Sequence, residues 1–151
     1  MLAPLKTEHA ECYYDTDSQI AYFIWTGKVT SKETAACYKW MAELFEAVAG
    51  GKPILGSIID FTAVQNFEQS NLRTARSEAK NLRSEKTSEV QQLPTALVVA
   101  TLMQEMFLQT SMRLTETSHE VNPRVVMVRS REEGIEHIKN WHILTEQDKA
   151  G

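Results

Sequence analysis

The sequence predicts an α/β fold. It has a single mostly parallel sheet of about five strands, one antiparallel strand at its edge and four helices, in the order β-β-α-β-α-β-α-β-α. Three observations predict it. Three of the four prolines stand immediately ahead of an apolar, β-branched run: Pro53 before Ile54–Phe61, Pro94 before Thr95–Thr101, and Pro123 before Arg124–Val128. Proline cannot donate to a ladder, so within sheets it gathers at edges, bulges and strand starts. The segments between these runs carry helical periodicity, and capping boxes open two of the helices. Right-handed crossovers between parallel strands then place helices on both faces of the sheet.

The elements follow in order. Glu11–Tyr14 and Gln19–Trp25 flank Asp15-Thr16-Asp17-Ser18, a cluster of turn formers, and read as an antiparallel pair ended by Gly27. Thr30-Ser31-Lys32-Glu33 is a capping box. The helix it opens runs to about Ala49, closed by Gly50-Gly51. Lys32, Lys39, Glu43 and Glu46 fall in one narrow wedge of that helix. Cys37, Tyr38, Trp40, Met41, Leu44, Phe45 and Val48 cover an apolar arc wider than the stripe of roughly 100° that one sheet face needs. The surplus at Trp40 and Leu44 is expected to meet another helix or another subunit.

The Ile54–Phe61 strand is followed by a loop and a helix over Glu68–Lys86. Leu72, Ala75, Ala79 and Leu82 form its buried stripe, with Arg73, Arg76, Lys80 and Arg83 along one flank and Glu78, Glu85 and Glu89 along the other. A solvated face of mixed charge accounts for those flanks. The Thr95–Thr101 strand leads to a helix near Leu102–Thr117. Its expected core face is Leu102, Met103, Met106, Phe107, Thr110 and Leu114, with Leu108 and Met112 as a second apolar surplus opposite. After Arg124–Val128, Ser130-Arg131-Glu132-Glu133 is another capping box, and the closing helix carries Ile135, Ile138 and Trp141. The organisation is an N-terminal segment over 1–10, one α/β domain over 11–143 and a flexible polar tail over 144–151.

A chain of 151 residues fits one domain with one real core. The net charge of −4, from 16 basic and 20 acidic side chains, argues against broad binding to nucleic acid. No apolar run reaches the ~18–20 residues that span a bilayer. The N-terminus has no apolar core of a signal peptide. Cys12 and Cys37 are too few for a disulfide framework and read as reduced thiols. A cytoplasmic protein without membrane insertion is expected.

Chemistry-bearing residues are sparse. Asp60 closes a central strand at its carboxyl end, the edge where open α/β sheets bind ligands. It is a candidate to position a ligand or act as a base; the competing reading is a turn-starting side chain that bonds loop amides. His137 and His142 are five apart and on different helix faces, so they do not share a metal, and His9 and His119 have no evident partners. The methionines Met103, Met106 and Met112 read as core or interface filler, with a lipid pocket as the other reading. No catalytic constellation, metal site or cofactor is expected.

The stretch Asp60-Phe61-Thr62-Ala63-Val64-Gln65-Asn66-Phe67-Glu68-Gln69-Ser70-Asn71-Leu72 resembles the STAS domain, the anti-anti-sigma-factor fold, in the broader group related to CRAL-TRIO. In that family a strand ends in Asp or Asn, passes through a short loop and enters a helix at Asp-Ser-Ser-Gly-Leu. Glu68 takes the acidic position, Ser70 the second serine and Leu72 the buried leucine. Gln69 replaces the first serine and Asn71 the glycine. The resemblance implies that Ser70 is the phosphoacceptor of a regulated switch. Independently, a phosphate there would meet the free N–H groups of a helix start, with Arg73 three residues on; the competing reading is a serine that only caps or solvates the first turn.

These readings converge on a non-enzymatic regulatory or scaffold domain that works by protein–protein contact, with phosphorylation of Ser70 as its candidate switch. Asp60, Thr62, Asn66 and Arg73 are the pocket or switch-loop candidates. Trp40, Leu44, Leu108 and Met112 are the candidate contacts of a homodimer or of a protein partner. The alternative is a small-molecule domain for a lipid or acyl group.

Overall fold

Asp15 turns the chain back on itself. Its carbonyl accepts the Gln19 N–H at 2.8 Å and its carboxylate accepts from the Asp17 N–H and the Ser18 hydroxyl. This aligns β2 (Ala10–Asp15) against β3 (Ile20–Val29). The structure, a computed structural model, describes residues 2–68, 77, 93–114 and 123–150. Ahead of the hairpin, β1 (Leu5–Lys6) pairs antiparallel with β2. Then come α1 (Ser31–Val48), β4 (Gly56–Phe67), β5 (Thr95–Val98), α2 (Leu102–Leu114), β6 (Val125–Val128) and α3 (Arg131–Ala150).

Among the described residues the sheet has six strands in the order β1-β2-β3-β4-β5-β6, with β3 to β6 parallel. The expectation was about five strands, one antiparallel edge strand and four helices. The added strand is β1, from the segment expected to stand apart from the domain. It is held because the Thr7 N–H donates to the Ala10 carbonyl and the Trp40 indole N–H donates to the Ala3 carbonyl at 2.9 Å. Three helices lie among the described residues. Most of the helix expected over Glu68–Lys86 lies outside them, with Ser70 and Arg73. Glu68 is described, and it prolongs the β4 ladder by donating its N–H to the Val29 carbonyl. At the other end, α3 runs through the segment expected to be a loose tail from residue 144.

The parallel strands succeed one another in a single direction, so right-handed crossovers put the connecting helices on one face. α1 and α2 accordingly share one core cluster, while α3 returns from β6 across the opposite face, over Ile58, Ala96 and Val98. The sheet has no reversal of strand order, so Asp60 does not sit at a topological switch. Two glycines let α3 lie close. Ile138 fills the space where a side chain on Gly56 would be, and Gly134 sits against Ala96 and Ile58. His137 and His142 of α3 hydrogen-bond through Nε2 to the carbonyls of Arg124 and Leu55, which ties the helix to the amino ends of β6 and β4.

The expected interface residues pack inside the subunit. Trp40 and Leu44 are 4% and 0% exposed, and the Trp40 ring meets Phe23 edge-on at 5.7 Å. The wide arc of α1 is covered because the helix spans β2, β3 and the N-terminal segment, more surface than one helix on one sheet face usually meets. Leu108 and Met112 are buried too, which moves the buried face of α2 from the one expected, although Phe107 packs on the core as expected. The cause is Gln104. Its side-chain carbonyl accepts from the Ala100 and Thr101 N–H groups, and its amide donates to the Val64 carbonyl at 2.8 Å. A buried amide needs these partners, and meeting them turns Gln104, Leu108 and Met112, four apart, toward the sheet. Leu102, Met103 and Met106 are left facing solvent, at 69%, 47% and 58% exposure.

Candidate functional site

β4 carries the site and is longer than its sequence suggests. Ile24 of β3 pairs with Asp60 and Thr26 with Ala63, so β4 holds one extra residue at Phe61–Thr62. A second extra residue stands at Gln65, between Val64, which pairs with Gly27 (φ 75°), and Asn66, which pairs with Lys28. Each bulge slips the alternation of side chains by one. Phe61, Val64 and Phe67 therefore all face the α1/α2 core, where Phe67 stacks on Phe107 at 4.0 Å. Thr62, Ala63, Gln65 and Asn66 are exposed. The loop expected after Phe61 is thus bulged strand, and Asn66 is a strand residue paired with Lys28.

Asp60 sits at the first bulge, level with Val98, the last residue of β5. Its Oδ1 accepts the Thr62 N–H at 2.9 Å and the Thr62 hydroxyl at 2.7 Å. Its Oδ2 accepts the Nε–H of Arg131 at 2.7 Å. Arg131 reaches it from the first turn of α3, after Ser130, whose hydroxyl accepts the Glu133 N–H. Burial on its own pushes the Asp60 carboxyl up. The two bonds from Thr62 and the Arg131 guanidinium outweigh it and hold the group below the usual carboxylate range. The bond to Asp60 in turn raises Arg131. A carboxylate so held is a weak base, so the arrangement is a fixed polar clasp rather than a proton acceptor. Arg131 stays 44% exposed beside it, near the stacked rings of Tyr13 and Tyr22.

Four other polar residues shape this end of the sheet. Gln104 clamps the bulged part of β4 to the start of α2. Glu33 opens α1, accepting the Thr30 hydroxyl at 2.9 Å, the Thr7 hydroxyl and the His9 N–H. Burial pushes its carboxyl up, but the three hydrogen bonds prevail and lower it. Arg129 and Glu105 join the end of β6 to the first turn of α2 at 2.6 Å. Of the expected site residues, the structure unites Asp60 and Thr62. Asn66 lies further along β4, and Ser70 and Arg73 lie outside the described residues. Arg131, Gln104 and Glu33 were not foreseen as site residues, though the Ser130 capping box marks where Arg131 stands.

Among the described residues no cluster of three or more His, Cys, Asp or Glu side chains comes together to hold a metal. No helix among them is long and apolar enough to cross a membrane. The sequence matches no family model and no curated protein. The crystal structure of an uncharacterised protein from the DUF3478 family, with a SpoIIAA-like fold, from Shewanella loihica PV-4, is similar to this chain. The TM-score is 0.50 at 16% sequence identity, covering 89% of this chain and 98% of that one. The fold is SpoIIAA-like. The expected STAS-like fold is therefore matched as a whole architecture, while Gln69–Leu72 of the motif lie outside the described residues. The likeness is one of fold.

Proposed function

We propose that this is a non-enzymatic regulatory or scaffold domain that binds a protein partner at the carboxyl edge of its sheet. One observation carries the reading. The first two turns of α2 expose Leu102, Met103 and Met106 together, beside the Glu105–Arg129 ion pair. An apolar centre with a charged rim is the anatomy of a protein-binding patch. Both α2 and α3 begin at the edge where β5 and β6 end, so the patch and the Asp60–Arg131 clasp share it. Phosphorylation of Ser70 is retained as the proposed switch of this contact. A lipid or acyl pocket would need the methionines to line one cavity. Met103 and Met106 face solvent while Met112 is in the core, which favours protein contact.

The test is affinity capture from cells in which the protein is native, using wild type and a folded Met103→Glu/Met106→Glu variant. A partner held by the first and lost by the second supports the reading. Recovery of the bait alone, or capture indifferent to the substitutions, refutes it. Ser70→Asp in the same assay examines the switch: unchanged capture removes it.

A further inference from the structure

We propose that Cys12 and Cys37 are a hydroperoxide-oxidisable dithiol that closes to an intrachain disulfide joining α1 to β2. The two sulfurs lie 3.4 Å apart although the residues are 25 positions apart in sequence. A disulfide holds its sulfurs at about 2.05 Å. Closure therefore asks for a shift of only about 1.4 Å between a helix and the strand it packs on.

The contact is framed on both sides. One turn ahead of Cys37, on the same face of α1, the Glu33 carboxylate accepts the His9 N–H at 2.7 Å. Three residues beyond Cys37, Trp40 packs on Phe23, and Phe23 is the cross-strand partner of Cys12. α1 is thus pinned to the β2–β3 pair before and after the thiols. Groups held in this way react with one another as at high effective concentration.

The surroundings also select the oxidant. Cys12 is 0% and Cys37 6% exposed, so a small hydroperoxide has better access than a bulky disulfide such as glutathione disulfide. The bond to Cys37, and then burial, push the Cys12 thiol up, so it rests neutral while Cys37 is reduced. The Cys37 sulfur, the more accessible of the two, attacks one oxygen of the hydroperoxide. An S–O bond forms, the O–O bond breaks, and alcohol (water, for hydrogen peroxide) leaves with the thiol proton. The Cys12 sulfur then attacks the Cys37 sulfur. The S–S bond forms, the S–O bond breaks, and water leaves with the Cys12 proton. Two thiols are oxidised by two electrons and one hydroperoxide is reduced.

The experiment treats the full-length native protein with hydrogen peroxide, then unfolds and alkylates it for intact-mass and peptide mapping. The expected result is the loss of two hydrogens and of both alkylatable thiols. A single Cys12–Cys37 cross-link should form within a monomer and be reversed by dithiothreitol. Glutathione disulfide should leave the native protein unmodified. Two intact thiols, while a free-thiol peptide in the same tube is consumed, would overturn the proposal. So would oxygen adducts without the cross-link, or a bond between chains. Cys12→Ser should convert the outcome to oxygen addition at Cys37. If that variant does not fold, the wild-type cross-link map decides alone.

Discussion

Arg131 donates through Nε to Oδ2 of Asp60 at 2.7 Å, across 71 positions of sequence. The contact joins the first turn of α3 to the point where β4 leaves register with β3. It couples the face that α3 covers to the bulged strand that the α1/α2 face depends on. The same bond supports the first prediction.

Replacing Arg131 by Gln leaves Asp60 buried with only its Thr62 bonds. The loss should be about 1–3 kcal/mol of unfolding free energy, toward the lower end because Arg131 is partly exposed. Thr62→Val, which keeps the N–H bond and removes the hydroxyl, should cost about 1 kcal/mol. Urea unfolding of both variants checks this. An Arg131→Gln protein as stable as wild type would mean the pair is not a clasp.

Acid should unfold the domain through Asp60 and Glu33. Both carboxyls are lowered in the folded state. A lowered carboxyl contributes stability that is present above its ordinary value near pH 4 and lost as pH falls through the folded value. The unfolded chain binds more protons in that window, so stability falls with pH. Asp60→Asn and Glu33→Gln should each flatten the acid limb of stability against pH. An unchanged slope in both variants contradicts the assignment.

Gly56 has no room for a side chain. A methyl group there would lie 2.6–2.8 Å from three side-chain atoms of Ile138. Gly56→Ala should cost about 1–3 kcal/mol by overpacking. Ile138→Ala opens a cavity and should cost about 2–5 kcal/mol. The double variant should be more stable than the sum of the two losses, because each substitution relieves the other. Strict additivity in thermal unfolding would place the clash elsewhere.

Leu44 lies in the core of one subunit. Leu44→Ala should lower stability by about 2–5 kcal/mol, and the loss should not vary with protein concentration. A concentration-dependent loss would return Leu44 to an interface between copies.

How far the sequence was legible differs by element. The prolines announced β5 within a residue of its start, because a ring without an N–H is tolerated where a strand begins. The Thr30 capping box marked α1 for an equally local reason, since the Thr30 hydroxyl accepts the Glu33 N–H. β4 resisted reading because Phe61, Val64 and Phe67 repeat every three residues. That matches neither the period of two of a strand nor the 3.6 of a helix, and only two bulges explain it. The buried face of α2 departs from its apolar pattern, which favours Leu102, Met103 and Met106. The amide of Gln104 needs partners that exist only once β4 is beside it.

The sequence by itself determined the α/β class, the Asp15–Ser18 turn and the start of α1, because propensity, capping and proline chemistry act within a few residues. Tertiary structure alone decided which helix faces are buried, where Arg131 meets Asp60 and how Cys12 comes to face Cys37. Those outcomes depend on contacts between residues 25 to 71 positions apart, and no local pattern encodes a partner that distant.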